Sequence, residues 1–468
     1  MSGIPSSLIP ALAGLLLTLA SPAALSQRAS SPEQSLSLGQ AIDLGLRQSW
    51  DVRIARTEVR EAKIQQSSNM HLWFPRLKVT GNLLLWNKAL PFEIPPMDFS
   101  GLTMPPGCEL FGSYSHCFGA FLEAFDLGVI RERFTAQATV QLVQPLTPLY
   151  SVYQLGRVGR LGERMAQAKQ VQTESQVRYE VTEAYLQAYQ ARVFDGIMKE
   201  AEELVRAHEE RVAKLLQEEM VRRAEQLKVQ VKLAEVRQNR LKTAAAVELS
   251  LANLARVLSL PIHTPLALTE RFPDPPPPYA HSLDGCIERA LRNRQELLMV
   301  KLGQEQARAG RAAARWQLVP TVAAVAQFEA NHGMGTIMPK TAFFVGGVLE
   351  WEFQWGKKWK DADLLTLKLR RAELLERKAR EGIPLEVKKH YLDLGVARAS
   401  LGVARAAVKS AEEALRIQVK RFELQAGSNT EVLDAQMELT KSRASYSSAL
   451  YQYYIAEAAL ERAMGGSR

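Results

Sequence analysis

The side chains that most often do chemistry are thinly spread through this 468-residue sequence. Its seven histidines, at 71, 116, 208, 263, 281, 332 and 390, form neither an HExxH helix nor a Cys–His ligand spacing. Gly156, Gly159 and Gly162 recur every third residue, the spacing of neither a Walker loop nor a dinucleotide fingerprint. Small residues at that interval suit close packing of one helix on another. Adjacent carboxylates such as Glu202-Glu203 sit in charge-rich helical patterns and read as solvated helix faces. The 12 methionines form no cluster suited to soft-metal export. No catalytic constellation emerges, and the sequence is read as that of a non-enzyme without cofactor or bound metal.

The cysteines depend on compartment. Leu8 to Ala20 is an apolar stretch followed by Ala24-Leu25-Ser26, a small-x-small cleavage pattern. Residues 1–26 are therefore expected to be a secretory signal peptide, with a core too short to span a bilayer. Its first segment has no Lys or Arg, and no Cys follows the core as a lipid acceptor. In an oxidising compartment Cys108 and Cys117, within a Pro- and Gly-rich loop, read as a local disulfide, the alternative being two loop thiols. Cys286 stands alone in an Ile- and Ala-rich helical pattern and reads as a small buried hydrophobe.

The elements that carry these residues are duplicated. Residues 37–75 align without a gap to 282–320, an offset of 245, pairing Ser37, Ile42, Arg47 and Pro75 with Ser282, Ile287, Arg292 and Pro320. Further on, EVTEAYL (180–186) matches EVKKHYL (386–392) at an offset of 206. The fall in offset marks an insertion in the first copy, assigned to the Lys88–Ile130 loop. Residues 27–270 and 282–468 are then two repeats, joined by a proline-rich connector at 271–281 that contains Pro275 to Pro278.

Each repeat reads helix, strand, loop, strand, long helix, turn, helix. Strands are marked by alternation at 134–142 and at Leu349–Trp355, with partners expected at 77–86 and 320–332. In the second, aromatic residues alternate with Glu350, Glu352 and Gln354, which become candidates for the lumen of a barrel. Single helices are expected over 37–75 and 282–319, and helices about twice as long over 150–217 and 356–425. The last carries a heptad, Val387, Leu394, Leu401, Val408, Leu415 and Phe422, with Ala397, Ala404 and Ala411 between. His390 shares that seam as a packed residue, and Gly382 with Pro384 should kink or widen the helix. No run of 18 apolar residues is present to form a membrane helix. The +9 charge comes from 59 basic residues interleaved with 50 acidic ones, which does not make a nucleic-acid footprint. Four strands cannot close a barrel, so several copies must complete it.

From residue 36 to 465 the chain resembles the TolC-like outer membrane efflux proteins. The resemblance rests on the Leu38–Pro75 helix and its repeat at Leu283–Pro320, on Gln144-Pro145-Leu146 at a strand exit, and on Ala184-Tyr185-Leu186. Ala426 to Gln436, with its VLDAQ stretch, and Ala459 to Gly465 complete the set. The resemblance implies a mixed α/β membrane channel: a homotrimer whose four strands per chain form a 12-strand β-barrel, continued by a long α-helical coiled-coil barrel across the periplasm. It implies an exit duct for small molecules in a tripartite efflux pump, partnered by a periplasmic adaptor and an inner-membrane transporter and seated in outer membrane lipid. The alternatives are the duct of a type I protein secretion system and, in another class, a periplasmic coiled-coil adaptor or scaffold. By similarity the adaptor-docking hairpin tips are Met220, Val221, Arg222 and Arg223, and Gly427, Ser428, Asn429 and Thr430. Gly427 would hold the positive φ that such a turn favours, which the first tip has no glycine to supply. Glu412, Glu413 and Glu423, interspersed with Arg416, read as helix-face charges rather than an acidic constriction.

Overall fold

The computed structural model describes residues 34–91, 129–335, 338–352 and 355–466. The expected signal peptide, Cys108, Cys117 and Gln354 lie outside the described residues. Helices α1 (Leu38–Gln48), α2 (Trp50–His71), α3 (Leu149–Gln217) and α4 (Arg223–Val257) come from the first repeat. Helices α5 (Leu283–Asn293), α6 (Gln295–Trp316), α7 (Lys357–Glu423) and α8 (Asn429–Ala463) come from the second. The strands are β1 (Gln34–Leu36), β2 (Arg76–Leu85), β3 (Leu90–Pro91), β4 (Val129–Arg131), β5 (Phe134–Pro145), β6 (Leu266–Leu268), β7 (Thr321–His332) and β8 (Thr341–Glu350).

Both repeats open with a serine cap. The Ser37 hydroxyl accepts from the Gln40 N–H while the Gln40 side chain accepts from the Ser37 N–H, and the Ser282 hydroxyl accepts from the Gly285 N–H. The single helices expected over 37–75 and 282–319 are each broken. Ser49 (ψ 131°) and Arg294 (ψ 124°) leave the helical region and interrupt the hydrogen-bond ladder. The two breaks stand at the repeat offset, 294 − 49 = 245, so the interruption belongs to the duplicated unit. Arg294 is anchored there by Glu386 of α7, whose oxygens accept from its two terminal nitrogens at 2.5 and 2.8 Å.

The two long helices, of 69 and 67 residues, each extend roughly 100 Å. α7 runs unbroken through Pro384, and Val387, Leu394, Leu401 and Phe422 of its heptad are buried. α3 packs first on α2 and then on α4, and α7 first on α6 and then on α8, so short helices lie end to end along long ones. Adjacent helices run in the order α2–α3–α6–α7 near the sheet and α4–α3–α8–α7 at the other end. Gly159 sets the spacing of α3 on α2: a Cβ there would meet the Gln66 Cα at 3.1 Å and the Asn69 Nδ2 at 3.2 Å.

The main sheet has four antiparallel strands in the order β2–β5–β7–β8, directly above the helices that continue them. The strand expected at Leu349–Trp355 is corrected: β8 spans Thr341–Glu350 and overlaps it only at its end. Glu350 pairs with Thr321, the first residue of β7, and Pro320 before it has no N–H to extend the ladder. Glu352 therefore lies beyond the strand.

Midway along the molecule, β1 and β6 form a short parallel pair that alternation in the sequence did not reveal. Leu36, Leu266 and Leu268 bury there with Val181, Tyr185 and Leu258, and the Tyr185 hydroxyl donates to the Leu36 carbonyl at 2.9 Å. The proline connector crosses α8, where the Tyr453 and Tyr454 hydroxyls donate to the Pro277 and Pro273 carbonyls at 3.0 and 2.6 Å. Cys286 is buried with a free thiol in the core of the second repeat.

Gly159→Leu should lower stability by about 1–3 kcal/mol through overpacking. Gly196→Ala on the same helix, where a new Cβ meets nothing within 4 Å, should hold or raise it by up to about 1 kcal/mol. Thermal unfolding of the two variants checks the contrast.

Candidate functional site

Register assigns the two faces of the sheet, because residues directly opposite across antiparallel strands share a face. The rows Leu77–Leu142–Ala326–Val345 and Val79–Val140–Phe328–Phe343 are wholly apolar. The alternate rows, Thr80–Thr139–Glu329–Ala342 and Asn82–Gln137–Asn331, are largely polar. On that polar face the Gln141 Nε2 donates to the Gln327 Oε1 at 3.1 Å. Glu350, opposite Thr321, belongs to it as well. Phe343 and Val345 of the apolar face are each 69% exposed, against 49% for Phe344 behind them, as on the convex side of a curved sheet. Strands of 10 to 12 residues, tilted as in a barrel, give a band about 25 Å tall. Below it, where strands give way to helices, Trp73, Trp316, Trp351, Trp355 and Trp359 are all exposed. An apolar band edged by tryptophans matches a bilayer and its interface.

At the far end the two hairpin turns are the same turn. Glu219 (φ 61°) and Gln425 (φ 58°) take the left-handed position, separated by the repeat offset, 425 − 219 = 206. The Met220 N–H donates to the Leu215 carbonyl and the Ala426 N–H to the Arg421 carbonyl, both at 2.8 Å. The expectation for Gly427 is corrected: Gln425 holds the positive φ. Gly427 is instead the point of close approach, where a Cβ would lie 3.1 Å from the Arg421 Cβ. The first tip, with Val221 at the matching position, therefore needs no glycine to make its turn.

The tips differ in their caps and lock together. Ser428 and Glu431 form a capping box at α8, whereas Arg222 gives α4 no side-chain cap. Asn429 is buried: its Nδ2 donates to the Glu225 carbonyl at 3.1 Å, and its Oδ1 meets the Nε2 of buried His208 at 2.5 Å. Burial pushes His208 below its ordinary value against the opposing hydrogen bond to Asn429, and Arg211 adds to the lowering; with the Asn429 Nδ2 donating to Glu225, its Oδ1 accepts from the His208 Nε2. Asn429 thus joins the hairpins, leaving Met220, Arg222, Arg223, Ser428 and Thr430 exposed. Nearby, Glu413 pairs with Arg416, Glu412 with Arg443 at 3.0 Å and Glu423 with Arg211 at 3.0 Å, as solvated ion pairs.

Glu202 departs from its expected role. It is buried on α3, where Arg206, Arg237 and Arg240 reach its carboxylate at 2.9, 3.1 and 2.7 Å. Hydrogen bonds from Arg240 and then Arg206 and Arg237 hold the carboxyl down at about 2 against the cost of burial. Two of these partners lie on α4, across the hairpin, so local sequence gave no sign of them.

Residues 286–466 match the family model described as "Outer membrane efflux protein". Across 92% of its length the chain superposes on the outer membrane protein VceC of Vibrio cholerae, covering 96% of that chain, with a TM-score of 0.70 at 14% identity. The Campylobacter jejuni CmeC outer membrane channel gives 0.70 at 14% identity, covering 92% of this chain and 85% of that one. The open-state Neisseria gonorrhoeae MtrE outer membrane channel gives 0.67 at 15% identity, covering 92% and 89%. A search of curated protein sequences finds no match.

Glu202→Gln should cost about 2 kcal/mol, less than the full shift implies because the three arginines are half exposed. A depressed carboxyl pKa stabilises the folded state above the ordinary carboxylate range and loses that effect as pH falls toward 2. Thermal midpoints of wild type and variant should differ by a constant amount above about pH 5 and converge in acid.

Proposed function

We propose that this chain, a TolC-like outer membrane efflux protein by its second repeat and by its fold, is the passive exit duct of a small-molecule efflux pump. Three copies join their four-stranded sheets into a 12-strand barrel in the outer membrane, and their helices continue the bore into the periplasm. The single observation that carries this reading is a sheet with one apolar and one polar face and, among the described residues, two open edges, β2 and β8.

An open edge in lipid leaves each unpaired backbone group at a cost of several kcal/mol. β2 and β8 run in opposite senses, so β8 of one copy can continue the antiparallel order onto β2 of the next. Two copies would give a barrel just wide enough to be filled by its own side chains, whereas three leave a bore. Helix flanks support the same join. Leu385, Leu392, Val396 and Val403 form an exposed apolar stripe on α7, and exposed Val231 and Leu249 share one face of α4, the outermost helices of the lower layer. The polar face, including Glu350, lines the lumen. In this reading Glu352, beyond the end of β8, stands at its periplasmic mouth.

The periplasmic adaptor docks on the exposed tip residues Met220, Arg222, Arg223, Ser428 and Thr430, and an inner-membrane transporter supplies the energy. A soluble adaptor or scaffold would have no use for a sheet with a 25 Å apolar face about as tall as a bilayer's hydrocarbon core.

Detergent-solubilised protein should sediment at the mass of three chains and conduct ions in a planar bilayer. A strain lacking the gene should become sensitive to toxic small compounds with an unchanged secretome. Wild type should restore resistance, and Arg222→Glu with Arg223→Glu should not, although the variant still reaches the outer membrane as a trimer. A monomeric mass contradicts the barrel; a changed secretome with unchanged susceptibility moves the duct to protein secretion.

A further inference from the structure

Three arginines of α6, Arg308, Arg311 and Arg315, line one groove of about 710 Å³ with Tyr150, Trp316 and Leu369. None of the three forms an ion pair among the described residues. This sets them apart from Arg206, Arg237, Arg294, Arg416 and Arg443, which each hold a carboxylate.

Backbone chirality decides which way the groove faces. Asn331, on the polar face of β7, donates its N–H toward β8, to the Lys340 carbonyl. Seen from the apolar side with β7 running upward, β5 therefore stands to its right and β8 to its left. α6 leads upward into β7, so in the same view α3 is on its right and α7 on its left. Gln306 reaches α3, donating to the Val158 carbonyl at 3.1 Å, and Gln304 reaches Glu376 of α7 at 2.5 Å. Winding a right-handed helix at 100° per residue between those contacts turns Gly303 and Ala307 toward the lumen. Ala312 and Trp316 turn to the same side as the apolar face of the sheet and Arg308 partly so, while Arg311 and Arg315 wind toward α7 and line the groove beside Leu369. Both flanking helices belong to the same chain, so a neighbouring copy joined at the outer helices α2 and α7 leaves this groove open.

Depth and composition then specify the occupant. Trp316 packs on Tyr150 with the ring planes tilted by 46° and 4.7 Å between centroids, and its indole N–H donates to the Thr147 carbonyl at 2.6 Å, fixing an aromatic pair at the foot of the apolar band. At 1.5 Å per residue, Arg315 and Arg311 lie within about 8 Å below Trp316, and Arg308 at about 12 Å. The headgroup layer is about 5–7 Å thick on each side of a bilayer. Arg315 lies within that layer and Arg311 at its lower edge, beneath an aromatic ring and an apolar wall, where guanidinium groups meet phosphate oxygens, and Arg308 stands about one helical turn below them. We propose that Arg308, Arg311 and Arg315, with Tyr150 and Trp316, form a binding site for the headgroup of an anionic phospholipid in the periplasmic leaflet.

The site rests on the outer membrane reading above, and its test is chosen to separate the two. Full-length protein purified in detergent is offered phosphatidylglycerol or phosphatidylcholine, and bound lipid is counted by native mass spectrometry. Wild type retains phosphatidylglycerol in preference. Arg308→Gln with Arg311→Gln and Arg315→Gln reduces that retention about tenfold or more. The trimer mass and ion conductance of this variant are unchanged. Arg371→Gln, in the groove on the lumen side of α6, retains lipid as wild type does. Equal retention by the triple variant, or no preference for the anionic lipid, overturns the site while leaving the channel intact. Displacement of the lipid by millimolar inorganic phosphate overturns it in favour of a free-anion site. A wild-type chain found soluble and monomeric, retaining no lipid, overturns both readings.

Discussion

Hydrogen bonding at the edges of one sheet governs the rest of this molecule. Among the described residues β2 and β8 each pair on one side only, and in the proposed duct the apolar rows Leu77–Val345 and Val79–Phe343 place those edges in hydrocarbon. In the proposed duct these two constraints are met together by a closed ring of copies, and a ring also accounts for the helices. Each strand stands over one helix in the same lateral order, so closing the sheet aligns the helical layer beneath it.

Duplication is how one chain builds this geometry. The helix breaks at Ser49 and Arg294, and the left-handed turn residues Glu219 and Gln425, fall on the offsets of 245 and 206 that relate the two copies. Local backbone geometry is therefore a property of the unit, while side chains have diverged around it. The first break carries a serine and the second an arginine tied to Glu386; the first turn has Val221 where the second has Gly427. Polar contacts between the two repeats of one chain, such as Asn429 with Glu225 and His208, fix one hairpin against the other.

What was legible in the sequence was what period and repetition encode. Alternation located β5, and with the duplication indicated β2 and β7; the heptad from Val387 to Phe422 located the buried seam of α7. The features that were missed have non-local causes. β8 ends at Glu350 because its partner begins after Pro320, although alternation in the sequence continues to Trp355. β1 and β6 are very short strands whose pairing joins opposite ends of the first repeat, and neither is long enough to show a period. Glu202 reads as a surface charge until Arg237 and Arg240 arrive from α4. The two sheet faces became assignable only with register, since a shift of one residue would exchange them. Asn429, grouped by resemblance with the docking residues, is a buried joint between the two hairpins, because its partners Glu225 and His208 come from the other repeat.

The most direct test of this account is amide hydrogen exchange of the edge strands in the intact membrane. If β8 of one copy pairs with β2 of the next, the outward-facing amides of Arg76–Leu85 and Thr341–Glu350 should be as protected as those of β5 and β7. Edge amides that exchange far faster than those of the two inner strands would contradict a barrel closed by copies of this chain.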